Sequence, residues 1–550
     1  MYLILNTSYK NSMKKFLRYL MLIMATIIIG YIYFYVSLPA VNIHSPGFWL
    51  FILGGLGIIT VLVGFTSIAK KNTAHNNLRD ILRSNKLFAA FFSITLTLVV
   101  VYALGSVLSS PILNAKRYQK MLTIENRNFT EDIKQISYKD IPILDKDSAT
   151  LLGSRKMGSI VEYVSQFEVA NNYTQINYQG TPVRVTPLRY GSIVKWFTNR
   201  NKGIPAYIRI DMATQEVELV KLDEGIKYSE SEHFSRNIYR HLRFAYPTYI
   251  FDNINFEIDD EGTPYWICPV KKYTIGLFGG QTIGRAVLVN AITGEMTDYA
   301  VEDVPQWVDR VYSAELLNQL YDFHGTLKHG YFNSVFSQRD ALKTTEGYNY
   351  VVLEDDVWVY TGVTSVGSDE SNVGFVLMNQ RTSETRFYSI SGAEEYSAMS
   401  SAEGKVQHLG YKATFPLLLN IGNQPTYFIA LKDDAGLVKS YAMVNIAQYQ
   451  IVAIGESVSQ CEKTYLELMK SNGIGLQANE DMPKITGKIK KIAEAVVDGN
   501  SHYYILLNNS NEIFDVDVSE LVPIITYDIG DSITLTYTEG DVLNTVVSLK

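Results

Sequence analysis

The chain has 550 residues, more than one hydrophobic core supports, and this length predicts three to five folding units of about 100 to 200 residues each. A formal net charge of −7 provides no basic surface, so a nucleic-acid partner is not expected. The two cysteines, Cys268 and Cys461, are too few for a disulfide scaffold, although the sequence leaves their pairing open. Cys268 follows Trp266 and Ile267, and we interpret it as a small buried hydrophobe.

Three apolar runs near the N-terminus cover residues 19–38, 47–69 and 87–109, and none contains Lys, Arg, Asp or Glu. Each is long enough to span about 30 Å of hydrocarbon, and three runs in succession indicate retained spans rather than a cleaved leader. We predict a three-helix transmembrane anchor over 1–112, in a plasma or bacterial inner membrane, with the lipid bilayer as a partner. Because the runs carry no charge, an ion path is not expected and the helices are predicted to serve as a tether.

The distribution of basic residues predicts the orientation of this anchor. The 39–46 link between the first two runs has neither Lys nor Arg. Positively charged loops stay in the cytoplasm, so the N-terminus is predicted to be cytoplasmic and residues after about 110 extracytoplasmic. The cations that carry this prediction are Lys10, Lys14, Lys15 and Arg18 before the first run, and Lys70, Lys71, Arg79, Arg83 and Lys86 between the second and third.

The region after the anchor contains four copies of one pattern, in which an apolar strand and a polar link precede a second strand that turns into a third. The second strands end at Asp211, Asn290, Asn379 and Asn445, and in the first three copies a Thr follows three positions later. An Asp or Asn side chain at such a position bonds its own backbone and holds a tight hairpin. We therefore interpret these residues as turn chemistry rather than as catalytic groups.

Amphipathic stretches lie between the strand groups and after the last one, and they predict a repeating unit of one helix packed on one antiparallel sheet, with a fifth helix at the end. The predicted helices cover 153–169, 232–246, 307–323, 392–404 and 457–470. The predicted α+β units are 113–227, 228–303, 304–391 and 392–471.

The second copy carries the run from Val289 to Glu295, VNAITGE, after an apolar strand. This run resembles the pattern of PepSY-type units, best over 262–303 and more loosely elsewhere. The first copy is similar, but Gln215 stands where the pattern has Gly. The resemblance implies a PepSY/cystatin-like fold and a role as an inhibitory or binding module in an extracytoplasmic protein, near peptidases or envelope machinery.

The C-terminal segment, 484–550, changes to short strands alone, which is typical of a small closed barrel. Five strands are predicted, at 485–493, 501–507, 512–516, 533–537 and 542–549. We predict an OB-like barrel that serves as a protein-contact or capping domain. Its acidic residues argue against nucleic-acid binding: Glu512, Asp515, Asp517, Glu520 and Asp528.

The sequence lacks the common catalytic motifs His-Glu-x-x-His, Cys-x-x-Cys and Gly-x-Ser-x-Gly. Weaker matches have ordinary interpretations: a chance Ser-x-x-Lys at 192–195, unrelated histidines at His324 and His329, a hairpin loop at 279–284 and a solvated turn at 354–356. We therefore predict no catalytic, cofactor-binding or metal-binding residues, and no cofactor.

These features together predict a non-enzymatic, membrane-anchored extracytoplasmic protein that binds, regulates or positions an envelope protein or peptide. Two alternatives stay open: an envelope hydrolase with a site assembled from distant residues, and a subunit of a translocation or secretion complex. The sequence does not indicate the oligomeric state or the biological process.

Overall fold

The computed structural model describes residues 20–21, 24–68, 86–135, 141–367, 371–472, 474, 483–497, 500–518, 521–538 and 543–550. Two helices near the N-terminus, Pro46–Ile68 and Lys86–Leu108, are long and apolar enough to be candidate membrane spans. The apolar helix Met24–Ser37 is shorter, and part of the predicted 19–38 span lies outside the described residues, so a third span stays a prediction. All the cations used to orient the anchor except Lys86 also lie outside the described residues.

The two long helices direct their apolar side chains outward. Only 17% and 6% of their most apolar windows are buried, whereas the core helix of a soluble protein is mostly buried. The helices pack on each other where Phe88 lies against Gly64 and where the hydroxyls of Thr60 and Thr95 are 3.4 Å apart. Their remaining surface is the kind that lipid covers.

The rest of the chain is mostly β structure, in several antiparallel sheets. The first sheet contains Phe167–Val169, Thr174–Tyr178, Thr181–Tyr190, Ile204–Asp211 and Val217–Ile226. The second contains Asn255–Ile258, Pro264–Ile275, Gly279–Asn290 and Met296–Ala300. The third contains Leu342–Thr344, Asn349–Leu353, Asp356–Ser365, Gly374–Asn379, Thr385–Tyr388 and Glu125–Arg127. The fourth contains Lys412–Ala413, Leu417–Ile421, Gln424–Lys432, Val438–Asn445 and Val452–Gly455, and Ser371–Asn372 pairs separately with Gly392–Ala393.

Each of these sheets packs face to face on the sheet that follows it in the chain. In the second sheet Trp266 and Cys268 belong to the core shared with the first sheet, whereas Ile267 faces the core shared with the third. In the third sheet Val359 faces the second, and Trp358 enters the core shared with the fourth. Because successive side chains of a strand point to opposite faces, one strand serves two cores. Sheets therefore cover sheets in addition to the predicted packing of helices on sheets: Leu317 of helix Ala314–Thr326 lies in the core between the second and third sheets, and Tyr465 of helix Val458–Ser471 in that of the third and fourth.

Strand Glu125–Arg127 pairs in parallel with Thr385–Tyr388 of the third sheet, although it falls in the predicted first unit. The unit boundaries drawn from the sequence stay a prediction.

The helices differ in extent from those predicted. After the two long helices come Pro111–Gln119, Phe129–Asp132, Lys146–Gly158, Val161–Val164, Ile193–Asn199, Ile238–Ala245, Ala314–Thr326, Glu395–Lys405 and Val458–Ser471. Shorter turns are the 3₁₀ segments Phe234–Arg236, Val301–Asp303, Gln407–Leu409 and Val522–Thr526, and the π segment Asn333–Ser337. The predicted 153–169 helix begins earlier, because Asp145 caps it through the backbone N–H of Ser148.

The predicted turn chemistry is confirmed in the first three sheets. In the second, the side-chain oxygen of Asn290 accepts hydrogen bonds from the N–H groups of Ile292 and Thr293, at 2.9 and 3.0 Å. Asp211 and Asn379 do the same in the first and third sheets. Gly294 has φ +79°, and in the first sheet Gln215 adopts φ +62° at the same turn position. Gln215, which stands where the PepSY pattern has Gly, therefore keeps the left-handed backbone that glycine favours.

The C-terminal strands form a closed five-stranded barrel with its own core around Ile505, Phe514 and Leu535. The strands are Lys484–Val497, Asn500–Leu507, Ile513–Asp517, Ser532–Thr538 and Asn544–Leu549. Around the barrel the order is first, second, third, fifth and fourth, so each predicted strand is present and the sheet has no free edge.

The sheets are docked on the N-terminal helices through the hairpin tip 276–278 of the second sheet. Ser109, next to the end of helix Lys86–Leu108, accepts hydrogen bonds on its hydroxyl from the N–H groups of Leu277 and Phe278. The ring of Phe278 lies 4.9 Å from that of Tyr102 and 6.2 Å from that of Trp49, one on each long helix.

The predicted hairpin loop at 279–284 is wrong, since these residues belong to strand Gly279–Asn290. The glycines serve close packing: a Cβ at Gly279 would collide with the Ser109 carbonyl and the Tyr118 hydroxyl.

The 39–46 link makes a second attachment to the same sheet region. The N–H of Val41 donates to the Pro247 carbonyl at 2.7 Å, and the His44 imidazole donates to the Leu277 carbonyl at 2.7 Å. Arg243 is buried and donates to the carbonyls of Leu38, Tyr246, Pro247 and Tyr249. The N-terminal helices and their link therefore contact the sheets at several points.

Candidate binding cleft

A cleft of about 810 Å³ lies where the four sheets meet, and all four contribute to its wall. The first sheet supplies Arg184, the second sheet supplies Asn255 and Pro269, and the segment before the second sheet supplies 252–254. Residues 310–315 and 348–350 come from the region of the third sheet, and 412–415 from the fourth. A volume of this size accommodates a small molecule or a short segment of peptide.

Arg184 lies in strand Thr181–Tyr190 and is 6% exposed. Its Nε donates to the Leu144 carbonyl at 3.4 Å and its Nη2 to the Gln175 side-chain oxygen at 3.2 Å. Both acceptors are neutral, and burial lowers the pKa of Arg184 to about 10. A buried guanidinium normally has a carboxylate partner, but among the described residues Arg184 forms no ion pair.

Arg310 is the second arginine of the wall. Its Nη2 donates to the Tyr350 hydroxyl at 3.1 Å, and the guanidinium lies 5.2 Å from the centre of that ring. Its Nε is buried and has no hydrogen-bond partner among the described residues. Burial is the main cause of the lowered Arg184 pKa, and Arg310 contributes a smaller lowering, which is opposed by Tyr350 and Asp145. The two positive charges therefore act on each other, and the Arg310 charge also acts on Glu257. We call Arg184 and Arg310 the cleft arginines.

The carboxylates of the wall are mostly engaged elsewhere. Asp145 pairs with Lys432, and Asp252 pairs with Lys271 at 3.1 Å. Glu230 and Glu315 accept hydrogen bonds from the hydroxyls of Tyr239 and Tyr348. Among the described residues no carboxylate forms an ion pair with a cleft arginine, although the charges of Asp145 and Asp147 partly offset the lowering of the Arg184 pKa by burial.

Two buried carboxylates, Glu257 and Asp309, lie beside the cleft and join three sheets; we call them the acid joint. Glu257, in the second sheet, accepts hydrogen bonds from the N–H groups of Asp309 and Arg310 at 2.9 and 3.0 Å. Asp309 accepts from Asn177 of the first sheet at 2.6 Å and from Val357 of the third at 3.2 Å. Burial raises the pKa of both carboxyls, and the Glu257 charge raises that of Asp309 further. Through the Arg310 N–H, the joint also holds a cleft arginine in place.

The residues that the sequence singled out do not form this cleft. Ser192 caps helix Ile193–Asn199 by accepting from the Lys195 N–H, which explains the Ser-x-x-Lys match. His324 contacts the Gln119 carbonyl and His329 contacts Asp340, so the two histidines have separate partners.

The solvated-turn interpretation is wrong for one of the three acidic residues at 354–356. Glu354 and Asp355 form a turn with φ of +53° and +66°, but Asp356 is buried and pairs with Arg381 at 2.7 Å. Within the described ranges, no group of three or more His, Cys, Asp or Glu side chains is arranged to hold a metal ion.

Both cysteines are free and buried. Cys268 lies in the core between the first and second sheets, as predicted, and burial raises the pKa of its thiol. Cys461 lies in the core of the third and fourth sheets, so the two do not pair.

One signal in the sequence could have indicated the cleft. Arg184 stands between Val183 and Val185 in a strand whose side chains are buried on both faces. A charge inside such a run needs a partner, and a single cation there marks a candidate site. Arg310 gave no comparable signal, because its segment was predicted as helix.

Comparison with known proteins identifies no family for this chain. The sequence matches no protein-family model and no curated protein. One matching solved structure is a monoclinic crystal form of an ACO/RPE65 chimera, 8% identical, with 71% of this chain and 66% of that chain covered and a TM-score of 0.14. The chain thus spans just under two thirds of that structure's length, and the TM-score is too low to support any argument about fold or function.

Proposed function

We propose that the chain is a membrane-anchored, extracytoplasmic binding protein without catalytic activity, which holds part of an envelope protein or peptide in the cleft. The observation that carries this proposal is the pair of cleft arginines: neither forms an ion pair within the described residues, and the Nε of Arg310 is buried without a hydrogen-bond partner there. Buried charge is costly unless it is matched, so a partner that supplies the missing acceptor gains binding free energy there.

In this proposal the chain crosses the membrane three times, its N-terminus is cytoplasmic, and all residues after about 110 lie outside the cytoplasm. Its support is the outward-facing apolar surface of the two long helices. The contacts of Val41 and Ser109 with one sheet region further support a location of the 39–46 link and the sheets on the same side of the membrane.

Two finer proposals concern the folds of the outer units. The matching turns at Asp211 and Asn290 support PepSY-like units, and the strand order of the C-terminal barrel supports an OB-like fold used for protein contact or capping.

Site-specific photocrosslinking in the native membrane tests the binding role. A photoreactive residue at Lys412, an exposed position on the cleft wall, is expected to form a covalent adduct with the partner. The same photoreactive residue at Val161, an exposed position outside both the cleft and the barrel, serves as the control and is expected to give none. Equal adducts at both positions, or none at Lys412, would contradict binding in the cleft.

A further inference from the structure

The cleft arginines allow the chemistry of the ligand to be specified, in an argument that rests on the proposed binding function. We infer that the cleft binds an oxyanion, a carboxylate or phosphate group of the ligand, between Arg184 and Arg310.

The first support is the unused hydrogen-bonding capacity of the wall. The Nε of Arg310 is buried and has no partner in the described part of the chain, whereas nearly all buried donors in folded proteins are paired. Guanidinium groups present their donors in a planar fork that matches a carboxylate or phosphate. A ligand oxyanion would therefore supply the acceptor that the protein does not.

The second support is the distribution of charge. Arg184 and Arg310 line one cleft, and no carboxylate of the described residues forms an ion pair with either of them, whereas Asp145 and Asp252 pair with Lys432 and Lys271. An anion between the arginines would remove their mutual repulsion, which an uncharged ligand of the same size would not do.

The third support is that Arg310 is held in place. Its backbone N–H donates to Glu257 at 3.0 Å, and its guanidinium stacks on Tyr350. Binding then requires little ordering of this side chain, so more of the interaction energy is available for affinity.

The test uses the full chain in nanodiscs of zwitterionic lipid, with thermal unfolding followed at constant ionic strength. Sodium phosphate and sodium succinate are the two probes, with sodium chloride as the reference salt, so that the two arms distinguish a phosphate from a carboxylate ligand. At least one probe is expected to raise the unfolding midpoint by about 3 °C or more.

Arg310→Met is expected to abolish this rise and to weaken probe binding, measured by calorimetry, about tenfold or more. Arg200→Met is the matched control, because Arg200 also stacks on an aromatic ring, at 4.6 Å from Phe197, but does not line the cleft. Arg310→Lys, which keeps the charge and loses the fork, is expected to retain part of the rise and provides a second variant should Arg310→Met fold poorly.

An equal rise in the wild type and Arg310→Met would show that the anions bind elsewhere and would overturn the inference. No rise with either probe would overturn it as well. In both cases the crosslink at Lys412 would still decide the binding role separately, because that experiment does not depend on the charge of the ligand.

Discussion

The acid joint and the cleft arginines are two sets of buried charges between the same sheets, and they differ in how much of their hydrogen-bonding capacity is used. Glu257 and Asp309 together accept four backbone N–H groups from three parts of the chain. The guanidinium groups of Arg184 and Arg310 donate to neutral groups only, and one buried guanidinium donor is left unpaired among the described residues. Buried charged groups whose hydrogen bonds are made within the protein hold the sheets together. Buried charged groups that have unused hydrogen-bond donors indicate a ligand site.

The largest effect is expected from Asp309→Ala, which removes the acceptor of the Asn177 and Val357 N–H groups. We expect a loss of roughly 2 to 5 kcal/mol in the free energy of unfolding, since each buried N–H left unpaired costs about 1–3 kcal/mol. Chemical denaturation measures this loss. Glu162→Ala, which removes an exposed carboxylate paired with Lys221, is the control and is expected to cost less than about 1 kcal/mol. Similar losses in the two variants would show that Asp309 does not join the sheets.

A smaller, pH-dependent effect is expected from Glu257→Gln. Burial raises the pKa of Glu257 from its ordinary value of 4.5 to about 7. The folded protein then binds more protons than the unfolded chain in this window, so this group's contribution to stability is present below about pH 4.5 and is lost as the pH rises through about 7.

Glu257→Gln does not titrate, so its cost relative to the wild type is expected to be about 1–3 kcal/mol at pH 5 and smaller at pH 8. Denaturation curves of both proteins at the two pH values measure the difference, which also contains the effect of the Glu257 charge on the pKa of Asp309, of the same sign. A cost that grows from pH 5 to pH 8 would contradict a raised pKa at Glu257.

The smallest effect on stability is expected at the cleft. Arg310→Met loses a stacking contact with Tyr350 and relieves repulsion from Arg184, so we expect a change within about 1 kcal/mol in the absence of a ligand. Denaturation in a buffer without phosphate or carboxylates measures it. A loss as large as that of Asp309→Ala would show that Arg310 stabilises the fold. The acid joint and the cleft arginines would then not differ in role.

Local chemistry made part of the fold predictable from sequence. The turns at Asp211, Asn290 and Asn379 depend on side chains that bond their own backbone within three residues, and they form as expected. The barrel strands were predictable for the same reason, because their alternation and turn residues are local.

Contacts between distant parts of the chain determine the features that the sequence did not predict. The predicted 307–323 helix forms only from Ala314, since the N–H groups of Asp309 and Arg310 bond Glu257 instead of helical carbonyls, and Ser313 caps the helix. The cleft was not predictable for a related reason. Arg184 and Arg310 are more than a hundred positions apart in the chain, and only the packing of the sheets brings them to one wall.

Native mass spectrometry of the full chain, extracted from its own membranes in mild non-ionic detergent, tests the central claim most directly. If the cleft holds an anionic ligand, the wild type and Arg200→Met should carry a bound mass that is released on denaturation, and Arg310→Met should carry much less. The same bound mass in all three proteins, or none in the wild type, would contradict the assignment of the cleft as an anion-binding site.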